Sequence, residues 1–184
     1  MRLEMRTRLG GLPQADIAAG SEMICRHLSR AGFMLASVQT IAVYASHGPE
    51  VSLASLASLL PDKRLVYPLC HAPRRLSFHH VTRLSELSAG TLGIPEPNAG
   101  LHPEVALADI DLILCPGLCF GLDGSRLGHG GGYYDRALEH YSGVVCGVAL
   151  EQQIKPSVPH DDHDILMDWL VTENGIKLPH SRPR

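Results

Sequence analysis

The stretch that decides the fold spans residues 110–138 and reads IDLILCPGLCFGLDGSRLGHGGGYYDRAL. It begins with a continuous apolar run, residues 110–115, which is typical of a strand buried on both faces of a parallel sheet. A glycine-rich segment, residues 116–138, follows at once and leads into a helix predicted to start near Gly132. A buried strand, a glycine-rich loop and a helix in this order indicate an α/β domain, because ligand-binding loops follow the carboxyl ends of parallel strands.

Hydrophobic patterns in the rest of the chain predict the other elements. Apolar residues at helical spacing predict two helices, one starting at Pro13 and stopping at Gly32 and the other ended by Pro61: residues 13–31 and 51–60. Runs rich in β-branched and aliphatic residues predict four more strands: residues 40–45, 64–69, 144–150 and Trp169–Thr172. Weaker patterns predict a hairpin, a short helix and a loop: residues 76–81, 83–88 and 94–104. We therefore expect one domain over residues 1–184, an α/β fold with a mostly parallel central sheet flanked by helices, in three layers with a Rossmann-like topology.

Composition and charge exclude several classes of protein. The chain has 184 residues, 45% of them hydrophobic, which is ordinary for a globular domain. A net charge of −3 and an aromatic content of 5% favour neither a basic nucleic-acid surface nor a base-stacking platform. No apolar run reaches the ~18 residues of a membrane span, and the N-terminal MRLEMRTRLGG lacks the apolar core of a secretory signal. The five scattered cysteines favour free thiols in a reducing cytoplasm.

The glycine-rich segment has the character of an anion-binding loop. Glycines allow close approach of the backbone to a ligand, and successive N–H groups ahead of a helix attract negative charge. Arg126 adds a planar fork of donors that suits phosphate oxygens. The segment is not a Walker P-loop, which needs a following Gly-Lys-Ser/Thr, nor a dinucleotide fingerprint, because Tyr133 replaces the third spaced glycine. A flexible spacer is the alternative, and Tyr134 and Asp135 argue against it because a spacer needs no such side chains.

The motif RLGHGGGYYDR, residues 126–136, with PGLCF before it, resembles the signature of the 5-formyltetrahydrofolate cyclo-ligases, or methenyltetrahydrofolate synthetases. IAVYASHGPE, KRLVYP, IPEP and PHDDHDILMDWLVTENG agree in the same order, so the resemblance covers roughly residues 1–176. It implies an enzyme that uses Mg-ATP to cyclise 5-formyltetrahydrofolate to 5,10-methenyltetrahydrofolate, releasing ADP and phosphate through an N5-iminium phosphate intermediate. Phosphoryl transfer depends mainly on positioning and charge stabilisation, so the lack of an obvious nucleophile is no objection.

The resemblance also implies which residues bind ATP. Arg126 is implied to act on the phosphates and to be catalytic. Gly131 stands where some members have lysine, so a phosphate-binding charge is either missing or supplied elsewhere. The implied ATP-binding residues are Arg2, Arg126, Leu127, Gly128, His129, Gly130, Gly131, Gly132, Tyr133 and Tyr134.

Folate and metal ligands are implied in the same way. Glu50 and Tyr133 are implied to contact the folate, since a carboxylate accepts the paired N–H donors of a 2-amino-4-oxopyrimidine. Asp135 and Asp164 are implied to bind Mg²⁺, which prefers hard carboxylate oxygens. From the residues alone, Glu50 is an ordinary exposed residue after a turn and Asp135 a first-turn residue that stabilises the helix dipole.

The N-terminus departs from the family pattern. Members usually begin with a short basic helix whose lysine and arginine reach ATP; Arg2 matches the arginine, and the lysine would precede Met1. Three alternatives remain open at this point: the natural chain starts earlier, Arg6 or Arg8 takes over, or ATP binds more weakly.

Other functional classes are weaker candidates. A zinc hydrolase site disagrees with the HExxH spacing and with Pro159, which favours a loop; its ligands would come from His160, Asp161, Asp162, His163, Asp164 and Asp168. A thiol nucleophile at Cys115 or Cys119 is less well supported than core packing. A non-catalytic ATP- or folate-binding regulator of the same fold is the remaining alternative. The expected partners are the two small-molecule substrates, with no nucleic acid or membrane, and the expected state is a monomer or weak dimer.

Overall fold

The computed structural model describes residues 1–161 and 164–180. Within them the strands are, in chain order, β1 Thr40–Ala42, β2 Arg64–His71, β3 Arg75–His80, β4 Ser88–Ala89, β5 Pro95–Glu96, β6 Glu104–Val105, β7 Leu112–Cys115, β8 Cys119–Gly121, β9 Arg126–Leu127, β10 Val144–Val148, β11 Ile154–Lys155, β12 Trp169–Thr172 and β13 Gly175–Lys177. The α-helices are α1 Arg2–Gly10, α2 Gln14–Ser29, α3 Gly32–Leu35, α4 Leu56–Leu59 and α5 Tyr133–Leu138. Short 3₁₀ turns lie at Leu84–Glu86, Thr91–Gly93, Leu107–Asp109 and Glu151–Gln153.

The main sheet has the order β13-β12-β10-β7-β1-β2-β3-β6. Its central strands β12, β10, β7, β1 and β2 run parallel, whereas β13, β3 and β6 add antiparallel edges. Counted along the chain, the parallel strands have the order 2-1-3-4-5 of a doubly wound α/β fold. The predicted α/β fold class, with a mostly parallel central sheet and Rossmann-like topology, is confirmed.

Two hydrophobic cores make the fold three-layered. In β7, Leu112 and Leu114 pack into the core on the α2 side of the sheet. Ile113 and Cys115 pack into the core on the α5 side. Because both faces are covered, the strand is a continuous apolar run rather than an alternating one.

A third, smaller core fixes the N-terminal helix. Met5 and Leu9 of α1 pack against Leu118, Leu127 and Val158, which come from the small sheet β11-β8-β9 and its neighbouring loops. This sheet was not predicted, because strands of two or three residues show no usable period. It matters for function because it places α1 next to the glycine-rich loop.

Most predicted elements are confirmed with shifted ends. The helix over 13–31 is α2, although Gly32 begins α3 rather than ending α2. The predicted strands at 40–45, 64–69, 110–115, 144–150 and Trp169–Thr172 correspond to β1, β2, β7, β10 and β12. No helix in the described part of the chain is long and apolar enough to cross a membrane.

Four predicted elements differ from the structure in detail. Of the helix predicted over residues 51–60, only α4 is helical. The Ser52 N–H donates to Ser21 Oγ of α2 at 2.9 Å, and this bond holds the first half of the segment against α2. Residues 76–81 are not a hairpin by themselves but mostly the return strand β3, which pairs with a β2 longer than predicted. The short helix predicted over residues 83–88 is the 3₁₀ helix Leu84–Glu86, and Ser88 already belongs to β4. The predicted loop, residues 94–104, contains β5 and the first residue of β6.

Candidate active site

The carboxyl ends of three parallel strands border a cavity of about 390 Å³. Its wall includes Tyr44 after β1, Cys70 in β2 and Pro116 after β7. Strands β1 and β7 are neighbours, and the chain leaves them in opposite directions, from β1 towards β2 and from β7 towards β10. Ligands of open α/β sheets bind at such a switch point, so the position of the cavity marks it as the candidate active site.

A second cavity of about 270 Å³ adjoins the first. Six residues line both cavities and so form the partition between them: Arg6, Tyr44, His47, Glu50, Pro116 and His129. Burial raises the pKa of Tyr44 well above its ordinary value, so its hydroxyl stays protonated. The partition therefore contains carboxylate, imidazole and guanidinium groups beside a neutral tyrosine.

The glycine-rich loop forms one wall of the larger cavity, where Gly128, His129, Gly130, Gly131 and Gly132 follow one another. Gly130 and Gly132 have φ values of +97° and +70°, which favour glycine, and Gly132 is the cap from which α5 begins. The predicted helix start near Gly132 is thus confirmed. Four of these five residues are glycines, so their backbone itself forms this part of the cavity wall.

Arg126 is fixed at the base of this loop. Its side chain is only 6% exposed, and its guanidinium forms an ion pair with the Asp135 carboxylate and donates to the Pro116 carbonyl at 3.3 Å. The guanidinium carbon also lies 5.7 Å from the centre of the Tyr134 ring, within cation–π range. A Cβ at residue 128 would lie 2.9 Å from Arg126 Nη1, so Gly128 leaves room for this guanidinium.

Two arginines of α1 hold the loop from the other side. Arg2 Nε donates to the Gly128 carbonyl at 3.2 Å, and Arg6 Nη2 donates to the His129 carbonyl at 2.8 Å. Arg6 also lines both cavities, whereas Arg2 is absent from the described lining of either. Of the two, Arg6 is therefore better placed to face a ligand.

Glu50 joins the loop to the end of β1. Its Oε2 accepts the His47 backbone N–H at 2.8 Å, and its Oε1 lies 3.1 Å from His129 Nε2. Since both carboxylate oxygens have partners, Glu50 is a built part of the site rather than an ordinary exposed residue after a turn. The contact also gives His129 a defined place in the partition.

The remaining loop residues divide between cavity and core. Tyr133 and Tyr134 line the larger cavity, and burial raises the pKa of Tyr134 well above its ordinary value. Leu127 packs with α1 in the small core and is not in the described lining of either cavity. Leu127 thus supports the loop through the small core.

The two predicted metal ligands differ in position. Asp135 lines the larger cavity, and its side chain is 51% exposed beside Arg126. Asp164 accepts the Asp161 backbone N–H at 2.9 Å and is not in the described lining of either cavity. An exposed carboxylate such as Asp135 fits Mg²⁺ bound mainly through substrate phosphates, which needs only one or two protein carboxylates.

The zinc alternative receives no support. Asp162 and His163 lie outside the described residues, and those described contain no group of three or more potential metal ligands. His160 Nδ1 lies 3.1 Å from the Val158 carbonyl, and Asp168 is buried and accepts the Val145 N–H at 2.8 Å. These contacts give both residues structural roles.

The thiol nucleophile is also disfavoured. Burial raises the pKa of Cys115 to about 12, and burial likewise raises the pKa of Cys119. Both remain thiols near neutral pH, and only the thiolate is strongly nucleophilic. Cys119 donates its S–H to the Gln153 carbonyl at 2.9 Å, as a buried structural thiol does.

Sequence reasoning missed several lining residues, namely Tyr44, His47, Cys70 and Glu96. Tyr44 and His47 follow β1, so the rule that ligands bind beyond the carboxyl ends of parallel strands was a usable signal. Cys70 and Glu96 had no such signal, since their place depends on the lengths of β2 and of the β4–β5 hairpin.

Comparisons with known proteins point to one family. The model of the 5-formyltetrahydrofolate cyclo-ligase family matches residues 1–173. A 5-formyltetrahydrofolate cyclo-ligase of Escherichia coli (strain K12) is 29% identical over 171 residues, covering 89% of this chain and 93% of the relative. One from Mycolicibacterium smegmatis is 31% identical over 150 residues, covering 76% and 77%.

Solved structures show the same likeness. The NMR structure of Aquifex aeolicus 5,10-methenyltetrahydrofolate synthetase has a TM-score of 0.82 and 31% identity, covering all of this chain (100%) and 95% of the other. A 5,10-methenyltetrahydrofolate synthetase from Mycoplasma pneumoniae has a TM-score of 0.76 and 21% identity, covering 94% of this chain and 96% of the other, and supports the fold.

Proposed function

Because the chain belongs to the 5-formyltetrahydrofolate cyclo-ligase family and is a ligase, we propose that it couples ATP to the cyclisation of 5-formyltetrahydrofolate into 5,10-methenyltetrahydrofolate. The observation that carries the ATP dependence is the wall formed by residues 128–132, Arg126 and Asp135 within one cavity. Backbone polar groups and a guanidinium suit a polyphosphate, and the exposed carboxylate suits its metal ion. The two adjoining cavities suit two substrates side by side.

In the proposed reaction the formyl oxygen attacks the γ-phosphorus of ATP, and the bond from that phosphorus to the ADP oxygen breaks. N10 then attacks the carbon of the N5-iminium phosphate, the N10 proton is lost, and phosphate leaves as the ring closes. Charge grows on the phosphoryl oxygens in the first step, and Arg126 and the loop N–H groups are the groups proposed to stabilise it.

The residues of the loop have distinct proposed roles. Residues 128–132 position the phosphates, Tyr133 and Glu50 bind the folate, and Arg126 is catalytic. Arg2 and Leu127 act by holding the loop, as their contacts with Gly128 and the small core suggest.

Asp135 is the residue proposed to hold Mg²⁺, with Asp164 as a second ligand as the resemblance implies. The ion would supply positive charge next to the phosphates. Of the two, Asp135 has direct support, because its carboxylate is exposed on the cavity wall.

The proposal extends to the whole molecule. We propose that residues 1–184 form one domain that acts as a monomer or weak dimer, without nucleic-acid or membrane partners. A cytoplasmic location is part of the proposal and is supported by the free thiols of Cys25, Cys70, Cys115, Cys119 and Cys146.

The test is an assay with purified protein, Mg-ATP and 5-formyltetrahydrofolate that follows the near-ultraviolet absorbance of the methenyl product. We expect product only when ATP and Mg²⁺ are both present, with one ADP formed per methenyl group. Product formed without ATP would overturn the proposed coupling. A folded protein that binds ATP but makes no product would favour the regulator alternative.

Arg6→Ala is expected to raise the KM for ATP by about tenfold with a smaller change in kcat. The variant loses the 2.8 Å hydrogen bond to the His129 carbonyl, and a hydrogen bond from a charged group contributes roughly 1.5–3 kcal/mol. It also loses the positive charge that lines both cavities. Steady-state kinetics with each substrate varied in turn provides the measurement. Arg30→Ala is the control, since Arg30 is exposed at the end of α2. An unchanged KM for ATP would remove Arg6 from the nucleotide site.

A further inference from the structure

Two buried polar atoms at the larger cavity lack hydrogen-bond partners among the described residues. They are Glu96 Oε1 and the hydroxyl oxygen of Tyr134. Both residues line the 390 Å³ cavity. Buried polar groups are nearly always hydrogen-bonded in folded proteins, so two unpartnered groups at one cavity point to a ligand.

Glu96 is held in a built position. It is 5% exposed and lies in β5, where it pairs with Ser88 of β4. A Cβ at residue 90 would overlap the Glu96 carboxylate, so Gly90 leaves the space that the carboxylate fills. The short hairpin β4–β5 therefore presents this carboxylate to the cavity as a fixed group.

The surroundings of Glu96 leave it without a countercharge. No ion pair to Glu96 forms within the described residues, and the cavity wall near the hairpin contains Ile94, Leu76 and Pro68. The Cys70 thiol is its polar neighbour: burial, and then the hydrogen bond to Glu96, raise the pKa of Cys70 to about 12. A neutral thiol donates at most one weak hydrogen bond, so the carboxylate retains capacity to accept stronger donors.

We propose that Glu96 determines substrate specificity by accepting the N–H donors of the ligand's heterocyclic ring, with the Tyr134 hydroxyl bonding to the same ring. A 2-amino-4-oxopyrimidine carries adjacent donors, its exocyclic amine and a ring N–H, which match the two oxygens of one carboxylate. Glu50 remains a proposed folate contact, but both of its oxygens already have partners in the protein, so it has less free capacity for this pair of donors. This inference rests on the proposed function and assigns the ring-recognition group of that same site.

The experiment compares two ligands that differ at one group. One is 5-formyltetrahydrofolate, and the other is its 2-desamino-2-methyl analogue, which lacks the exocyclic amine. The kcat/KM for cyclisation and the Kd from calorimetry are measured for both with each protein. We expect the wild type to prefer the amine by on the order of 100-fold, because a site built for a donor rejects a ligand without it.

Glu96→Gln is expected to reduce this preference to less than about tenfold, since the amide presents only one acceptor oxygen. Glu104→Gln, an exposed residue in β6, is the matched control and should keep the full preference. Tyr134→Phe should weaken binding of both ligands without abolishing the preference. The preference is a ratio within one protein, so a general loss of stability does not imitate the effect.

The outcomes separate this inference from the proposed function. The assignment of Glu96 would be overturned if Glu96→Gln kept the preference for the ligand with the exocyclic amine and Glu50→Gln lost it. If Glu96→Gln does not fold, the wild type and Glu50→Gln decide: equal kcat/KM for the two ligands in the wild type overturns the assignment, and a large preference that Glu50→Gln retains supports it. Failure of the wild type to bind or cyclise 5-formyltetrahydrofolate would instead overturn the proposed function, and this inference with it.

Discussion

Asp135→Asn is expected to lower kcat by on the order of 100-fold, a typical cost of removing one electrostatic contributor to a transition state. The amide keeps the size of the carboxylate but loses the charge that pairs with Arg126 and that suits Mg²⁺. The concentration of Mg²⁺ required for half-maximal rate should rise as well. Steady-state kinetics at increasing Mg²⁺ concentrations, with both substrates saturating, provides the measurement.

Asp62→Asn is the matched control, because Asp62 is exposed in the turn before β2, at the amino end of that strand. It should leave kcat and the Mg²⁺ requirement unchanged. A near-normal kcat for Asp135→Asn would contradict the metal assignment. It would return Asp135 to the role of a first-turn residue that stabilises α5 and neutralises Arg126.

Asp135 also illustrates how much of the candidate site can be predicted from the sequence. The motif after β7 was sufficient to predict the loop, the start of α5 and the presence of Asp135 on its first turn, because glycine spacing and helix capping are local properties. The partner of Asp135 was not predictable, since the pairing with Arg126 depends on the path that the loop takes between them. Local signals thus identify the segment, and tertiary structure determines which of its groups meet.

The main sheet was predictable for a related reason. Strands buried on both faces are continuous apolar runs, and β7, β10 and β12 all show them. The sequence predictions were wrong where contacts between residues distant in sequence outweigh the local hydrophobic pattern. Residues 51–60 are an example, because the Ser52 N–H donates to Ser21 Oγ of α2. The small sheet and the buried Glu96 belong to the same class, because their elements are too short to have a period.

Two parts of the wall of the larger cavity differ in how well the sequence predicts them. The proposed phosphate-binding groups lie in one continuous segment and are predictable from a motif. Other lining groups come from β2, from β5 and from the loop after β1, as Cys70, Glu96 and Tyr44 show. Only the assembled sheet brings these three residues together, so a prediction based on motifs misses them.

Arg126→Lys is expected to lower kcat by about 100-fold or more, because a lysine cannot reproduce the planar fork of an arginine. The Arg126 guanidinium contacts the Asp135 carboxylate and the Pro116 carbonyl at once, and it lies over the Tyr134 ring. An ammonium is a single point of charge and satisfies fewer of these contacts in one position. Rates of ADP and methenyl formation, measured together, provide the test.

The two rates also decide which step Arg126 serves. If it stabilises the transferring phosphoryl group, both products form slowly from the first turnover; if it serves only ring closure, a burst of ADP precedes the methenyl product. Arg64→Lys is the control, since Arg64 is exposed at the amino end of β2, away from the carboxyl ends that border the cavity. Unchanged rates together with a lowered melting temperature would assign Arg126 a purely structural role, in which its ion pair with Asp135 holds the loop against α5.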